Sequence, residues 1–372
     1  MKKILYVTTL SSTINAFLIP HIEMLIKEMG YKVDIACFIN KEIDKSLIDL
    51  GVNVYQVPFA RSPLALTNIN AFKELIKIQK ENNYDIVHVH TPVAGVFGRL
   101  LKVKFKNLKT MYTAHGYHFF KGGSKASWFL YYPIEKIMAK FTDVIININQ
   151  EDYEITKNKL KPKKSYLING VGLDLSKYKP IPDEFIQKKR KSLGLEKDDF
   201  VIIMIAELNK NKNQIQLIKA MELLKNDYPK IKALLVGEGD KKQELEREIK
   251  ERELEKNIQL LGFRKDVVEL INIANIGVLL SYREGLPRSI MEIMANGKRV
   301  IGTDIRGIRD LISNENLGNI VRIGDIEETK NSILKEYILF TQNGMEFVLN
   351  DEVKKLDIKN ILNQLSKIVD EV

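Results

Sequence analysis

The sequence has little cysteine and no long apolar segment. Cys37 is the single cysteine among 372 residues, which excludes an internal disulfide and a cysteine-rich metal site and fits a reducing compartment. No apolar run approaches the roughly 20 residues that span a bilayer, so we expect any membrane contact to be peripheral. Lys2 and Lys3 resemble the opening of a signal peptide, but the apolar run after them stops at Thr8. A first buried strand is the better interpretation.

Acidic residues are absent between Asp85 and Glu135, where four of the five histidines lie. The same span is rich in lysines and large aromatic side chains. Two interpretations remain open: a face that binds an anionic membrane, or ordinary core aromatics beside solvated lysines. We expect Phe119, Phe120 and Trp128 to be the most exposed of the aromatics.

The charge balance is basic, with 58 Lys and Arg against 48 Asp and Glu, a net charge of +10. Such an excess suits anionic partners: nucleotide phosphates, acidic lipids or nucleic acid. A nucleic-acid binder would rest on charge alone, and we expect no nucleic-acid partner. The glycine pattern argues against a dinucleotide-dependent dehydrogenase, because Gly237-Glu238-Gly239 has no third glycine at the required spacing.

Apolar strands and amphipathic helices alternate along the chain in two series, separated by a pause from Gly172 to Asp183. This alternation predicts an α/β protein with two Rossmann-like parallel-sheet domains facing a cleft. The predicted domains are residues 1–180 and 181–350, with a C-terminal helix in 351–372 that packs back on the first domain. Ligands bind such sheets at the carboxyl ends of the strands, which places the expected site at the cleft.

One stretch, from Ser281 to Gly297, combines the features of an anion site and a sugar site. It follows an apolar strand, and Pro287 stands where a helix would begin. The first-turn amides of such a helix, at Arg288 and Ser289, have no intrahelical acceptor and favour a diphosphate. Glu284 in the loop and Glu292 in the helix can accept hydrogen bonds from sugar hydroxyls. The spacing alone also fits an ordinary strand, loop and helix.

The order and spacing of several short motifs resemble retaining glycosyltransferases of family 4, which have the GT-B fold. The resemblance is closest to bacterial capsular and exopolysaccharide glycosyltransferases. The motifs are Ile168-Asn169-Gly170-Val171-Gly172-Leu173-Asp174, Ala206-Glu207-Leu208 with Asn211-Lys212-Asn213, Leu235-Val236-Gly237-Glu238-Gly239, Gly262-Phe263-Arg264, Glu284-Gly285-Leu286-Pro287, Glu292, Gly302-Thr303-Asp304 and Ala114-His115-Gly116-Tyr117-His118.

The resemblance implies a role for each matching residue. Glu284, His115 and Lys212 are expected to be catalytic: Glu284 and His115 lie near the donor sugar, and Lys212 neutralises the diphosphate. The first domain is expected to bind the acceptor and the second the nucleotide sugar. Residues expected to bind the donor nucleotide are Glu292, Gly285, Leu286, Arg288, Ser289, Gly237, Gly239, Phe263 and Arg264. Residues expected at the acceptor or membrane are Tyr117, His118, Phe119, Phe120 and Trp128.

Two departures from the family pattern concern the phosphates. Glu207 stands where relatives often have an arginine, and a carboxylate there would repel a diphosphate. Glu207 is therefore expected to point towards an acceptor or a lysine, and Arg288 or Arg264 to supply the second cation. The expected loop from Thr9 to Asn15 also lacks the glycines that many members carry.

For the histidines and Lys212, structural interpretations remain open beside the functional ones. His115 could be a core histidine bonded to a backbone carbonyl, and Lys212 a solvated loop lysine. His88 and His90 share one strand face; a His-x-His pair can bind zinc, but no further ligand stands out, so we expect a structural or acceptor-lining role.

The resemblance implies transfer, with retention, from a nucleotide sugar to a lipid-linked saccharide in cell-surface glycan synthesis. The expected donor is a UDP-sugar, for example a UDP-N-acetylhexosamine. We expect no metal or other cofactor and a cytoplasmic protein on the inner face of the membrane. A nucleotide-sugar epimerase of the same fold is the alternative; the aromatic span argues against it.

Overall fold

The structure is a computed structural model that describes residues 1–60, 62, 65–343 and 351–372. It divides into two compact units, Met1–Gly172 with Ile358–Val372 and Leu173–Asp357. Each unit is built on one parallel sheet, as the alternation of strands and helices predicted. Within the described residues, no helix is both long enough and apolar enough to cross a bilayer.

The first unit contains a seven-stranded sheet in the order β3-β2-β1-β4-β5-β6-β7. Its strands are β1 (Lys3–Leu10), β2 (Lys32–Phe38), β3 (Val54–Gln56), β4 (Ile86–His90), β5 (Lys109–Ala114), β6 (Val144–Asn147) and β7 (Lys164–Leu167). The central strands β1 and β4 are buried along almost their whole length, although β1 carries Thr8 and Thr9 and β4 carries His88 and His90.

Helices cover the first sheet on both faces. They are α1 (Ser11–Thr13), α2 (Ile19–Lys27), α3 (Lys45–Asp49), α4 (Thr67–Asn82), α5 (Pro92–Lys104), α6 (Lys125–Ala139), α7 (Gln150–Ile155) and, from the end of the chain, a helix at Ile358–Asp370, with π-helical turns at Ile14–Leu18 and Thr156–Leu160. The C-terminal helix packs on α2, and Tyr31 Oη donates to Asp370 Oδ1 at 3.2 Å.

The expected loop from Thr9 to Asn15 is wrong. Strand β1 continues to Leu10 and α1 follows at once. Ser11 fixes this junction, since its hydroxyl donates to the Lys41 carbonyl at 2.6 Å. The missing glycines are explained by this geometry, because helical backbone has no need of them.

The second unit contains a six-stranded sheet in the order β10-β9-β8-β11-β12-β13. Its strands are β8 (Phe200–Ile205), β9 (Ile231–Val236), β10 (Ile258–Gly262), β11 (Ile276–Leu279), β12 (Arg299–Thr303) and β13 (Gly318–Val321). Its helices are α8 (Asp183–Ser192), α9 (Gln214–Glu222), α10 (Lys242–Glu251), α11 (Val267–Ile273), α12 (Arg288–Ala295), α13 (Ile308–Leu311), α14 (Ile326–Asn343) and α15 (Asp351–Lys354), and the C-terminal helix of the first unit is α16.

Candidate active site

The stretch from Ser281 to Gly297 forms a loop and helix α12 at the carboxyl end of β11. Pro287 precedes the helix in extended conformation, and no side chain caps the first turn. The first-turn amides therefore lack the usual side-chain acceptor and are suited to an anion. Gly297, with φ of 68°, ends the helix in the left-handed conformation that glycine adopts without strain.

Glu284 is held by Lys212, which lies 72 positions earlier in the chain. The Lys212 ammonium donates to Glu284 Oε1 at 2.6 Å, and the Glu284 side chain is only 11% exposed. The lysine belongs to the short turn Lys210–Lys212 after β8. The two predicted catalytic residues of the second unit thus lie in direct contact, which leaves a carboxylate and an ammonium side by side at one sheet edge.

Glu292 is fixed by two donors. Arg288 Nε donates to Glu292 Oε1 at 2.8 Å, one helical turn away, and the Tyr178 hydroxyl donates to the same oxygen at 3.1 Å. Burial, with the nearby Glu292 carboxylate adding to it, raises the pKa of Tyr178, so the phenol stays a donor. Sequence reasoning missed Tyr178, because nothing in the linker signals a contact across 114 positions.

The loop that carries Glu284 rests on residues that follow β12. Arg306 Nε donates to the Glu284 carbonyl at 3.1 Å, and the Thr303 hydroxyl donates to the Ser281 carbonyl at 2.7 Å. Gly307 lies directly against Gly285: a Cβ at position 307 would stand 2.0 Å from the Gly285 carbonyl oxygen. The position of Glu284 therefore depends on the close approach of two backbone segments.

Gly307→Ala is expected to unfold the protein more readily and to disable the site. The residue has φ of 74°, and the added methyl group overlaps backbone that cannot move without shifting the Glu284 loop. We expect a loss of unfolding free energy well beyond the roughly 1 kcal/mol of a left-handed alanine. Gly194→Ala is the matched control, since Gly194 has φ of 68° and open space around it. Urea titration compares the two; equal losses would contradict the packing argument.

The remaining predicted donor residues surround the ends of β8, β9 and β10. A Cβ at Gly237 would stand 2.1 Å from the Ala206 carbonyl, and one at Gly239 would stand 2.2 Å from the Leu208 carbonyl, so both glycines permit close backbone contact. Phe263 is 71% exposed. Arg264 forms a bidentate pair with Asp266, with distances of 2.8 and 2.6 Å. That pairing leaves Arg264 less able to serve a diphosphate.

Glu207 is exposed at the end of β8. Its side chain has no hydrogen-bond or ion-pair partner among the described residues, and its carbonyl accepts from Gln214 Nε2 at 2.9 Å. The carboxylate therefore does not reach a lysine in this structure. It is free to meet a ligand group or water.

In the first unit, three histidines meet at the carboxyl ends of β4 and β5. His90 Nδ1 lies 3.0 Å from His115 Nε2, and His88 Nε2 lies 2.8 Å from the Thr113 hydroxyl. The rings of His88 and His90 are 4.3 Å apart between centroids. Burial lowers the pKa of His115 to about 4 and that of His88 to about 3, with neighbouring imidazoles contributing, so these rings are neutral at physiological pH.

The expectation that Phe119, Phe120 and Trp128 are the most exposed aromatics is wrong, because Phe129 is 85% exposed and the most buried of the three is Phe119. Its ring is fully buried, stacked on Tyr117 at 4.8 Å between centroids and in contact with Trp128 at 5.2 Å. Trp128 is half-buried and its indole N–H donates to the carbonyl of half-buried Phe120 at 3.0 Å. These aromatics form a cluster in the core because three large rings together remove far more apolar surface from water than each could alone.

A pocket of about 280 Å³ opens beside this cluster in the first unit. Half-buried His118, stacked on Tyr131, lies in its wall together with Tyr117 and Phe119. Its other lining residues are Thr9, Leu10, Thr13, Thr91, Pro92, Val93, Val96, Tyr112, Gly116, Ile134 and Glu135. The predicted acceptor residues Tyr117, His118 and Phe119 thus share one largely apolar cavity.

No group of three or more His, Cys, Asp or Glu side chains in the described part of the chain is arranged to hold a metal ion. His88 and His90, the predicted pair that could have bound zinc, bond to Thr113 and His115 instead.

Two Rossmann-like parallel sheets, with a loop carboxylate and a lysine at the carboxyl ends of the strands of one of them, fit the GT-B class of glycosyltransferases. Residues 3–149 match the family described as "Glycosyl transferase 4-like", and residues 185–337 match "Glycosyl transferases group 1". EpsD of Bacillus subtilis (strain 168), described as a glycosyltransferase, is 36% identical over 327 residues, covering 87% of this chain and 84% of EpsD. The chain therefore belongs to the glycosyltransferase family that these two descriptions and EpsD represent.

Two further proteins are similar to this chain over most of its length. The Escherichia coli UDP-Gal:alpha-D-GlcNAc-diphosphoundecaprenol alpha-1,3-galactosyltransferase is 28% identical, over 86% of this chain and 80% of the enzyme. The crystal structure of Anabaena Alr3699/HepE in complex with UDP and glucose has a TM-score of 0.82 at 21% identity and covers 100% of both chains. The latter likeness shows the shared GT-B fold.

Proposed function

We propose that this glycosyltransferase moves a sugar from a UDP-sugar, with retention of anomeric configuration, to a lipid-linked saccharide. The observation that carries the proposal is the Lys212–Glu284 pair beside the uncapped start of α12. Two similar proteins support the donor and acceptor parts of the proposal. One uses UDP-Gal and a diphosphoundecaprenol acceptor, and the other was crystallised with UDP and glucose.

Lys212 and Glu284 bind different parts of the donor in this proposal: Lys212 the diphosphate and Glu284 the sugar. A diphosphate would compete with Glu284 for the Lys212 ammonium and release the carboxylate to accept from a sugar hydroxyl. The departing UDP gains negative charge as the bond between the anomeric carbon and the phosphate oxygen breaks. A fixed ammonium and the α12 amides stabilise that charge more in the transition state than in the ground state.

The nucleoside half fits the neighbouring residues. Glu292, oriented by Arg288 and Tyr178, can accept from ribose hydroxyls. The exposed Phe263 ring at the end of β10 offers a face on which a uracil ring can stack. Arg288 is partly engaged by Glu292, and we propose it as the second cation near the phosphates because Arg264 is held in a bidentate pair.

Retention needs no protein base in this scheme. The acceptor oxygen attacks the anomeric carbon on the face that the phosphate leaves, and its proton passes to the departing phosphate oxygen. Lys212 and the helix amides perform the charge neutralisation that a divalent cation provides in other transferases. We therefore propose that the reaction is metal-independent.

A thermal-shift panel of nucleotide sugars, run with and without EDTA, tests the donor assignment. A ligand that binds the native state raises the melting temperature by an amount set by its affinity. We expect UDP-sugars to give the largest shift and EDTA to leave it unchanged. A shift with another nucleotide alone, or one lost on chelation, would contradict the proposal.

The membrane part of the proposal rests on helix α6, whose outer face is apolar. Exposed residues recur at helical spacing along it: Ala126, Phe129, Leu130, Pro133 and Ile137. Phe129 is 85% exposed. Exposed Lys125 and Lys140 lie at the two ends of the helix, and Glu135 on its inner face is neutralised by Arg99 at 2.9 Å. An apolar helix face with lysines and no free carboxylate suits an anionic lipid surface.

Phe129→Ser with Leu130→Ser is expected to lower binding to anionic vesicles at least about tenfold, since burying each apolar side chain in lipid contributes roughly 1.5–3 kcal/mol. Phe185→Ser is the control, because Phe185 is also exposed but lies in the second unit. Co-sedimentation with vesicles of anionic and of neutral lipid measures the difference. Unchanged binding of the double variant, or equal loss in the control, would contradict docking through α6.

A further inference from the structure

His115 is bonded to a second histidine that the proposed reaction does not use. His90 Nδ1 and His115 Nε2 are 3.0 Å apart, and their rings stack at 5.3 Å between centroids. His90 is buried in the centre of the sheet, 1% exposed, with Tyr6 and His88 as its ring neighbours. The contact is a direct hydrogen bond between two imidazoles.

Only one proton can occupy that hydrogen bond when both rings are neutral. If His115 donated from Nε2, His90 would carry its own proton on Nε2. That atom is buried and has no hydrogen-bond partner among the described residues. In proteins a buried N–H without an acceptor is rarer than a buried acceptor without a donor. The proton in the bond therefore belongs to His90 Nδ1, and His115 Nε2 accepts.

We propose that His90 is a positioning residue that fixes the tautomer of His115. With Nε2 accepting from His90, His115 keeps its proton on Nδ1. That nitrogen bonds to no described residue, so its N–H is available to a hydroxyl oxygen of a bound saccharide. The inference rests on the proposed function for the identity of the ligand, but the tautomer is a property of the protein alone.

The backbone around His90 is held in an unusual conformation. Thr91, the next residue, has φ of 67° and ψ of 148°, a region that a β-branched residue rarely occupies. Thr91 Oγ1 accepts from the Thr9 amide at 3.1 Å and lies 2.7 Å from the Thr9 hydroxyl. The contact with Thr9 of β1 thus holds Thr91 in a strained conformation. Such a fixed backbone is consistent with a requirement that the ring of the neighbouring His90 lie at a set angle.

The first test is the ring-nitrogen spectrum of the wild-type protein labelled with ¹⁵N-histidine, with His115→Ala used to assign the His115 signals. We expect neutral His115 to show a protonated Nδ1 and an unprotonated Nε2. In His90→Leu the two tautomers of His115 should become mixed, and His90→Asn, whose side-chain amide can donate from nearly the same place, should restore the wild-type pattern. A His115 protonated on Nε2 in the wild type would overturn the proposal.

The second test is a double-mutant cycle on sugar transfer. His90→Leu is expected to lower kcat about 10- to 100-fold, as loss of an orienting partner typically does, with a smaller change in the donor KM. In a His115→Ala background the same change should cost less than about twofold, because the orienter has nothing left to orient. An equal loss in both backgrounds would mean that His90 acts through general stability, and would overturn the proposal. The spectrum needs no substrate, so failure of the proposed reaction remains distinguishable from failure of this assignment.

Discussion

Glu284→Ala is expected to lower sugar transfer by at least about 100-fold, a typical loss for one preorganised polar group at the reacting centre. The carboxylate is nearly buried and is the partner of Lys212, so its removal takes away a sugar contact and also frees the lysine to settle elsewhere. The fold should persist, because the Glu284 backbone is held independently of its side chain by Arg306.

Glu269→Gln is the control for Glu284→Ala. Glu269 also accepts from a lysine, Lys189, at 2.6 Å in the same unit, but its side chain is 54% exposed. Exposed pairs contribute little to stability, and this one lies outside the Glu284 loop. Initial rates with a UDP-sugar compare the activities of the two variants, and circular dichroism shows whether each variant is folded. Full activity in Glu284→Ala would remove the donor-site assignment.

The second large effect is on stability at acidic pH. Burial lowers the pKa of His88 to about 3 and holds that of His90 well below its usual value, and Tyr6, His21 and His115 are the titratable groups beside them. Since the unfolded histidines have pKa values near 6.5, the unfolded state takes up protons first as pH falls. Stability is therefore lost below about pH 6.5, by roughly 2 kcal/mol for His88 at pH 5, and His90 adds a loss of the same sign.

Urea titrations between pH 6.5 and pH 5 measure this loss in a range where most carboxylates are still ionised. The slope of unfolding free energy against pH gives the number of protons taken up on unfolding. In His88→Asn that number should fall by about one, even though the variant is less stable overall. A wild-type stability that is independent of pH across this range would contradict neutral burial of the histidines.

Apolar patterns in the sequence identify the strands of both sheets except the edge strands β7 and β13. Strand β8 is buried along almost its whole length and reads as an unbroken apolar run, and β1 contains a shorter one from Ile4 to Val7. The edge strands β7 and β13 have four residues each and are half-exposed, so their apolar content is too low to distinguish them from loops.

The site residues show the same limit. Spacing and resemblance selected Lys212, Glu284 and Glu292, whose types suit a sugar diphosphate. Their pairings join residues that are 72 and 114 positions apart, Lys212 with Glu284 and Tyr178 with Glu292, and no local pattern encodes such contacts. The prediction for Phe119 was wrong for a related reason. Adjacent aromatics look alike in sequence, although Phe119 packs inward and Phe120 is half-buried.

Analysis of the transferred product tests the central claim most directly. The protein is incubated, with EDTA present, with UDP-hexoses and UDP-N-acetylhexosamines and a short-chain polyprenyl-diphosphate saccharide, and the product is examined by mass spectrometry and proton NMR. We expect an added sugar whose anomeric coupling matches the α configuration of the donor. A β-linked product, a free epimerised nucleotide sugar, or transfer that stops on chelation would contradict it.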